Sequence, residues 1–158
     1  MKLAIKSNLI ILILWLSCCA SDGTHSEEEA MSNKVSVIEV GITGEENTYT
    51  FSVTLRSPDT GCEQYANWWE VIDLEGNLLY RRILAHSHVN EQPFTRSGGT
   101  INITSETVVY VRAHMNNLGY GSTALKGSVT SGFSKAELKT DFAIALETQE
   151  PLPNECAF

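Results

Sequence analysis

Residues 49–56 alternate without interruption: Tyr49, Phe51, Val53 and Leu55 are interleaved with Thr50, Ser52, Thr54 and Arg56. A period of two places all the apolar side chains on one face of an extended strand and all the polar ones on the other. A strand with one greasy face needs a second apolar layer to cover it, and this demand shapes the whole chain. The flanking segments read the same way. Val35 and Val37 open a looser alternation ending at Gly41, and Gly44-Glu45-Glu46-Asn47 is a turn. Ser57-Pro58-Asp59-Thr60-Gly61 breaks the best strand. Residues 68–73 and 78–85 form the arms of a hairpin around Leu74-Glu75-Gly76-Asn77. Residues 100–104, the β-branched 108–114 and 124–130 complete seven short strands. This spacing predicts an all-β antiparallel sandwich, immunoglobulin-like or fibronectin-like, with a small barrel as the alternative closure.

The tail departs from this period. Ser134-Lys135-Ala136-Glu137 has capping-box spacing, and Phe142 and Leu146 share one face at helical spacing. A short C-terminal helix over about residues 140–147 is therefore expected, ended by Pro151 and Pro153. With 158 residues, 42% apolar and 19% charged, the chain suits one domain and is too apolar to be wholly disordered. A net charge of -8 argues against nucleic acid as a partner, since phosphate binding needs clustered cations.

The first residues read as an address. Lys2 and Lys6 precede the apolar run 9–16, and Ser17, Cys18, Cys19 and Ala20 supply small side chains. A basic start, a short greasy run and a small-residue exit form an export signal. The run is shorter than the roughly 18 residues a membrane-spanning helix requires. Leu16-Ser17-Cys18-Cys19 resembles a bacterial lipobox. That resemblance implies cleavage before Cys19 and acylation of its thiol, with several chains giving a stable membrane anchor. Cleavage after Ala20 with free secretion is the competing reading. Residues 1–18 are then the signal peptide. Residues 19–33, with Glu27, Glu28 and Glu29, form an acidic tether, and residues 34–158 form the domain.

Of the four cysteines, Cys18 leaves with the signal and Cys19 carries lipid, so Cys62 and Cys156 remain to pair in an oxidising compartment. Such a bond closes a long loop, worth about 4–5 kcal/mol by chain entropy, and staples the tail to the body.

Five strings carry a wider likeness: Asp59-Thr60-Gly61-Cys62-Glu63-Gln64-Tyr65, Trp68-Trp69-Glu70-Val71, Ala85-His86-Ser87-His88-Val89, the run 91–99 from Glu91 to Gly99, and Val111-Arg112-Ala113-His114-Met115-Asn116. Through them the chain resembles a group of uncharacterised bacterial exported proteins and lipoproteins. The resemblance implies export and a single β-sandwich-like domain, with no known activity.

Histidine is the most specific chemical feature. His86 and His88 stand at i and i+2, so on a strand both rings share a face about 6.5–7 Å apart at the backbone. His114 ends another predicted strand. Three imidazoles meeting there are a candidate metal site, with Glu91 or Met115 as a further ligand and zinc or copper as the ion. The competing reading makes them hydrogen-bonded structural residues. Tyr65, Trp68 and Tyr120 are a candidate ligand surface of aromatic rings, while adjacent Trp68 and Trp69 must point to opposite faces, one to the core. Arg96-Ser97-Gly98-Gly99 reads as a turn entering a strand or as an anion-cradling nest. Arg81 and Arg112 are expected to pair with a Glu or stack on a ring.

The sequence has no nucleophile elbow, P-loop, dinucleotide fingerprint or His-Glu-x-x-His motif. It reads as a lipid-anchored envelope module that binds a protein or small ligand. The alternative is a copper- or zinc-binding protein using His86, His88 and His114.

Overall fold

The computed structural model describes residues 33–121, 123–139 and 141–157. The export signal, Cys19, the tether up to residue 32 and the first residue of the expected tail helix lie outside the described residues. Strands β1 (Ser36–Thr43), β2 (Tyr49–Arg56) and β5 (Phe94–Ile101) form one antiparallel sheet in the order β1-β2-β5. The second sheet holds β3 (Ala66–Ile72), β4 (Leu78–Ile83), β6 (Val109–Met115), β8 (Thr123–Ser128) and β9 (Gly132–Glu137), in the order β4-β3-β6-β8-β9. The two-residue β7 (Gly119–Tyr120) also pairs with β6. Two separate sheets make this a sandwich rather than a barrel. β4 joins the sheet of β3, whereas the immunoglobulin constant arrangement puts its fourth strand on the other sheet.

β2 alternates buried and half-buried residues along its whole length, as its sequence demands. Phe51, Val53 and Leu55 face Trp69 and Val71 of β3 and Val109, Val111 and Ala113 of β6 within one core cluster. Burying each large side chain contributes about 1.5–3 kcal/mol. The polar face of β2 is used too: Ser52 and Thr54 meet Ser97 and Thr95 of β5 through hydroxyl pairs at 2.7 and 2.8 Å. The hairpin between β3 and β4 is closed by Asp73. One of its carboxylate oxygens accepts from the backbone N–H groups of Glu75 and Asn77, and Gly76 supplies the positive φ of 90°.

Three local expectations are corrected. The strand placed at residues 100–104 runs instead over Phe94–Ile101, so the Arg96–Gly99 string is strand and not turn. Its glycines mark close approaches. A Cβ on Gly98 would meet the Tyr80 hydroxyl at 2.6 Å, and one on Gly99 the Tyr49 carbonyl at 2.7 Å. The capping-box residues Ser134 and Glu137 lie in β9, paired to β8. The tail holds a single 3-10 turn, Ile144–Thr148, entered through Ala143 in the left-handed region, instead of an α-helix. Its carbonyls at Ala143 and Leu146 accept from backbone N–H groups three residues on and also from guanidiniums far away in sequence, as described below. Leu146 is buried as expected, and Phe142 packs edge-on against Tyr110 at 5.7 Å.

Candidate functional site

With Trp69, Val71, Val111 and Ala113 turned to the core, alternation sends Trp68, Glu70, Arg112 and His114 to the outer face of the second sheet. Strand register arranges them in two rows. Glu70 stands opposite Arg81 on β4 and opposite Arg112 on β6. One turn of the pleat away, Trp68 stands opposite His114, which in turn faces Tyr120 on β7.

The first row is a buried triad. One Glu70 oxygen accepts from Nε and Nη2 of Arg81 at 2.8 and 2.6 Å, and the other accepts from Nε of Arg112 at 2.8 Å. Further guanidinium N–H groups donate to the tail. Arg81 reaches the carbonyls of Leu146, Gln149 and Pro151, and Arg112 those of Phe142 and Ala143. Residues 141–157 therefore form a strap across the outer face, clamped through backbone oxygens. Its far end is fixed by a disulfide between Cys62 and Cys156, 94 positions apart with Cα atoms 5.6 Å apart. The pairing expected from counting cysteines is thus present.

The second row is a stack. The Trp68 and His114 rings lie 3.7 Å apart and nearly parallel at 5°, the Arg81 guanidinium sits 4.5 Å from the Trp68 centroid, and Tyr120 meets His114 edge-on at 4.9 Å. Arg112 lies 3.5 Å over the Tyr120 ring. His114 Nδ1 is 2.8 Å from the Asn67 amide oxygen, which assigns the ring proton to Nδ1, and Nε2 lies 3.5 Å from a Glu147 oxygen. Burial, then Arg81, Arg112 and Lys34, lower the His114 pKa to about 3, so the ring is neutral. Burial and Glu70 push the Tyr120 phenol upward, against the pull of Arg112.

Between β7 and the strap opens a cleft of ≈ 350 Å³. Tyr120, Lys34, Arg112, Lys139 and Glu147 line it together with Leu118, Leu138 and Ile144. Gly119 has φ +70°, the left-handed region that favours glycine, and the Glu147 carboxylate lies over it.

The residues predicted from sequence divide between places. Of the aromatic set, Tyr65 and Trp68 are buried, at 4% and 3% exposure, while Tyr120 lines the cleft. His86 and His88 lie in the loop after β4, not on a strand. Their ring centroids are 4.6 Å apart, and His88 stacks on Phe94 at 3.8 Å. The Asp59 carboxylate fixes this loop by accepting the His88 backbone N–H at 2.8 Å. Burial, then Arg96 and His86, lower the His88 pKa. His114 stands with Trp68 and Tyr120 instead of with this pair. Among the described residues no group of three or more His, Cys, Asp or Glu is placed to hold a metal ion. Arg81 and Arg112 do both things expected of them, pairing with a Glu and stacking on rings. Glu70 was missed, although a lone carboxylate inside Trp68-Trp69-Glu70-Val71 is a signal that it must be paired. Lys34, Lys139 and Glu147 carry no such local signal.

The fold and the site together define an all-β sandwich domain whose outer face is strapped by its own C-terminus and opens a cleft at the strap's edge. Over 87 residues the chain is 45% identical to a candidate lipoprotein of Halomicrobium mukohataei. The match takes in 54% of this chain and 42% of that protein, so the chain spans about two fifths of the length of the relative it matches. No family model matches the chain, and no solved structure matches it.

Proposed function

We propose that the protein is an envelope lipoprotein, anchored through Cys19 and facing the extracytoplasmic side, whose sandwich domain binds a small ligand in the cleft beside Tyr120. In this reading residues 1–18 are the signal and 19–33 the tether. The name of the Halomicrobium relative and the Leu16–Cys19 pattern support the anchor. The observation that carries the binding role is the cleft. Its ≈ 350 Å³ falls within the roughly 300–1,000 Å³ of small-molecule sites, and an aromatic ring, apolar side chains and a few charges converge on it. Two experiments test the two halves. Cys19→Ser should move the protein from the membrane to the soluble fraction, and a variant that stays membrane-bound refutes the lipid anchor. A fragment screen read by NMR on the mature chain should shift amides in residues 118–121 and 138–147. Hits confined to other surfaces refute the cleft.

A second reading, copper or zinc binding, rests on one observation: His88 is buried and neither of its ring nitrogens has a hydrogen-bond partner, while His86 lies against it. A neutral imidazole without a partner has a lone pair to offer a metal.

A further inference from the structure

We propose that the ligand of this cleft is a small organic anion, a carboxylate or phosphate carried on an apolar body. This rests on the reading of the cleft as a binding site and adds the chemistry of what it takes.

Charge under and around the cleft is the first ground. The buried triad holds two guanidiniums against one carboxylate, and Glu70 and Arg81 have no side-chain exposure. Five backbone carbonyls solvate that excess cation but do not neutralise it. Among the described residues, Lys34, Lys139 and Glu147 line the cleft wall beside Arg112. Leaving aside Lys34, which is engaged in interactions of its own, Arg81, Arg112 and Lys139 stand with Glu70 and Glu147, three cations to two carboxylates among the described residues, in a chain whose net charge is -8. Positive potential concentrated in a concave, partly desolvated site is focused toward the ligand. The neutral state of His114 beside the site is due first to its burial, and Arg81, Arg112 and Lys34 add to it in the same direction.

The division of labour among the cations is the second ground. Arg112 is tied to Glu70 and to two strap carbonyls, and it stacks on Tyr120, so its charge is fixed in place at the cleft wall. The Lys34 ammonium is held at 3.3 Å from the Tyr120 carbonyl, which stations its charge at the cleft. Lys139 is exposed and can swing onto an anion. A carboxylate or phosphate suits an ammonium as a point-charge partner.

The apolar wall is the third ground. Leu118, Leu138 and Ile144 line the cleft with the Tyr120 ring, and Ile144 is 45% exposed. A bare inorganic ion would leave that surface in water. A chain or ring behind the anionic head covers it, at about 25 cal/mol per Å² buried.

Four probes with one apolar body decide the matter: octanoate, octyl phosphate, octylamine and octanol, titrated into the mature chain and read by NMR. Octanoate or octyl phosphate should shift the amides of 118–121 and 138–147, and the tighter of the two tells carboxylate from phosphate. Lys139→Glu should weaken that binding about tenfold, and Arg82→Glu, outside the cleft, should leave it unchanged. Raised salt should weaken it in the same direction. Octylamine or octanol binding the cleft as tightly as the anions overturns the anion class and leaves the cleft a ligand site. If none of the four moves the cleft amides, both readings fall.

Discussion

Arg81 grips a single oxygen of Glu70 with two N–H groups, at 2.8 and 2.6 Å, and neither side chain is exposed. Arg112 takes the other oxygen, so one carboxylate holds two guanidiniums, and those in turn hold the strap. Glu70→Gln removes the counter-charge and leaves two buried cations. The expected loss is about 3–5 kcal/mol in urea unfolding, the range for breaking a buried ion pair. Replacing all three with apolar residues (Glu70→Leu, Arg81→Met, Arg112→Leu) should cost the sheets less than Glu70→Gln does. It should still strip hydrogen-exchange protection from residues 142–151, because the strap carbonyls lose their donors. A Glu70→Gln variant within about 0.5 kcal/mol of wild type, the usual spread for a neutral surface change, is incompatible with this role.

The disulfide and the arginine clamp hold different parts of one strap, and they should separate experimentally. Cys62→Ser with Cys156→Ser should cost about 2–5 kcal/mol. Exchange protection should vanish first at 152–157, including the Ala157 N–H that reaches the Ala85 carbonyl, while the stretch gripped by Arg81 and Arg112 stays protected. Simultaneous loss of both stretches would show that the arginines do not act as an independent clamp.

What could be read from sequence follows from how local each cause is. β2 was legible because it has one dry and one wet face, and β3 because Trp68 and Trp69 must point opposite ways. β5 was not: its Gly98 and Gly99 look like a turn, yet they are glycines so that Tyr80 and the β2 backbone can press against them. The tail helix was expected from the spacing of Phe142 and Leu146. The segment instead forms a 3-10 turn whose carbonyls at Ala143 and Leu146 accept both from backbone N–H groups three residues on and from Arg112 and Arg81, dozens of residues upstream, an engagement that local spacing does not announce. Cysteine pairing needed only counting. The cleft needed the strap, the β7 pairing and Lys34 together, a conjunction no single stretch announces.

The loop histidines make a test of the metal reading. If His86 and His88 take zinc or copper, calorimetric titration of the mature chain should show binding that either His86→Ala or His88→Ala abolishes. His114→Ala should leave it intact, since His114 is engaged with Trp68 and Asn67 elsewhere. The lowered pKa of His88 keeps that ring neutral below the usual histidine range, so its share of the binding should persist on mild acidification. Wild-type affinity no tighter than that of a triple His→Ala variant makes these rings structural.

His114 should leave a signature in the acid stability of the whole domain. Its folded-state pKa is about 3 and its unfolded value about 6.5, so between those values the unfolded chain binds a proton that the folded chain refuses. Stability therefore rises with pH across that window and is lost as pH falls below about 6.5, with a slope of up to about 1.4 kcal/mol per pH unit from this one group. His88, also lowered, adds to the slope with the same sign. Glu46, Asp73 and Glu91, whose pKa values are lowered from ordinary carboxylate values, add to the slope with the same sign toward its acid end, and do so alike in wild type and variant. Urea midpoints at pH 7, 6 and 5 should fall steeply for wild type, and for His114→Gln by about one proton's worth less. The comparison is of slopes, so a uniform loss of stability in the variant does not disturb it. Equal slopes in the two proteins would mean that His114 accepts its proton in the folded state as readily as in the unfolded one, and that the cations around it exert no net effect on the ring.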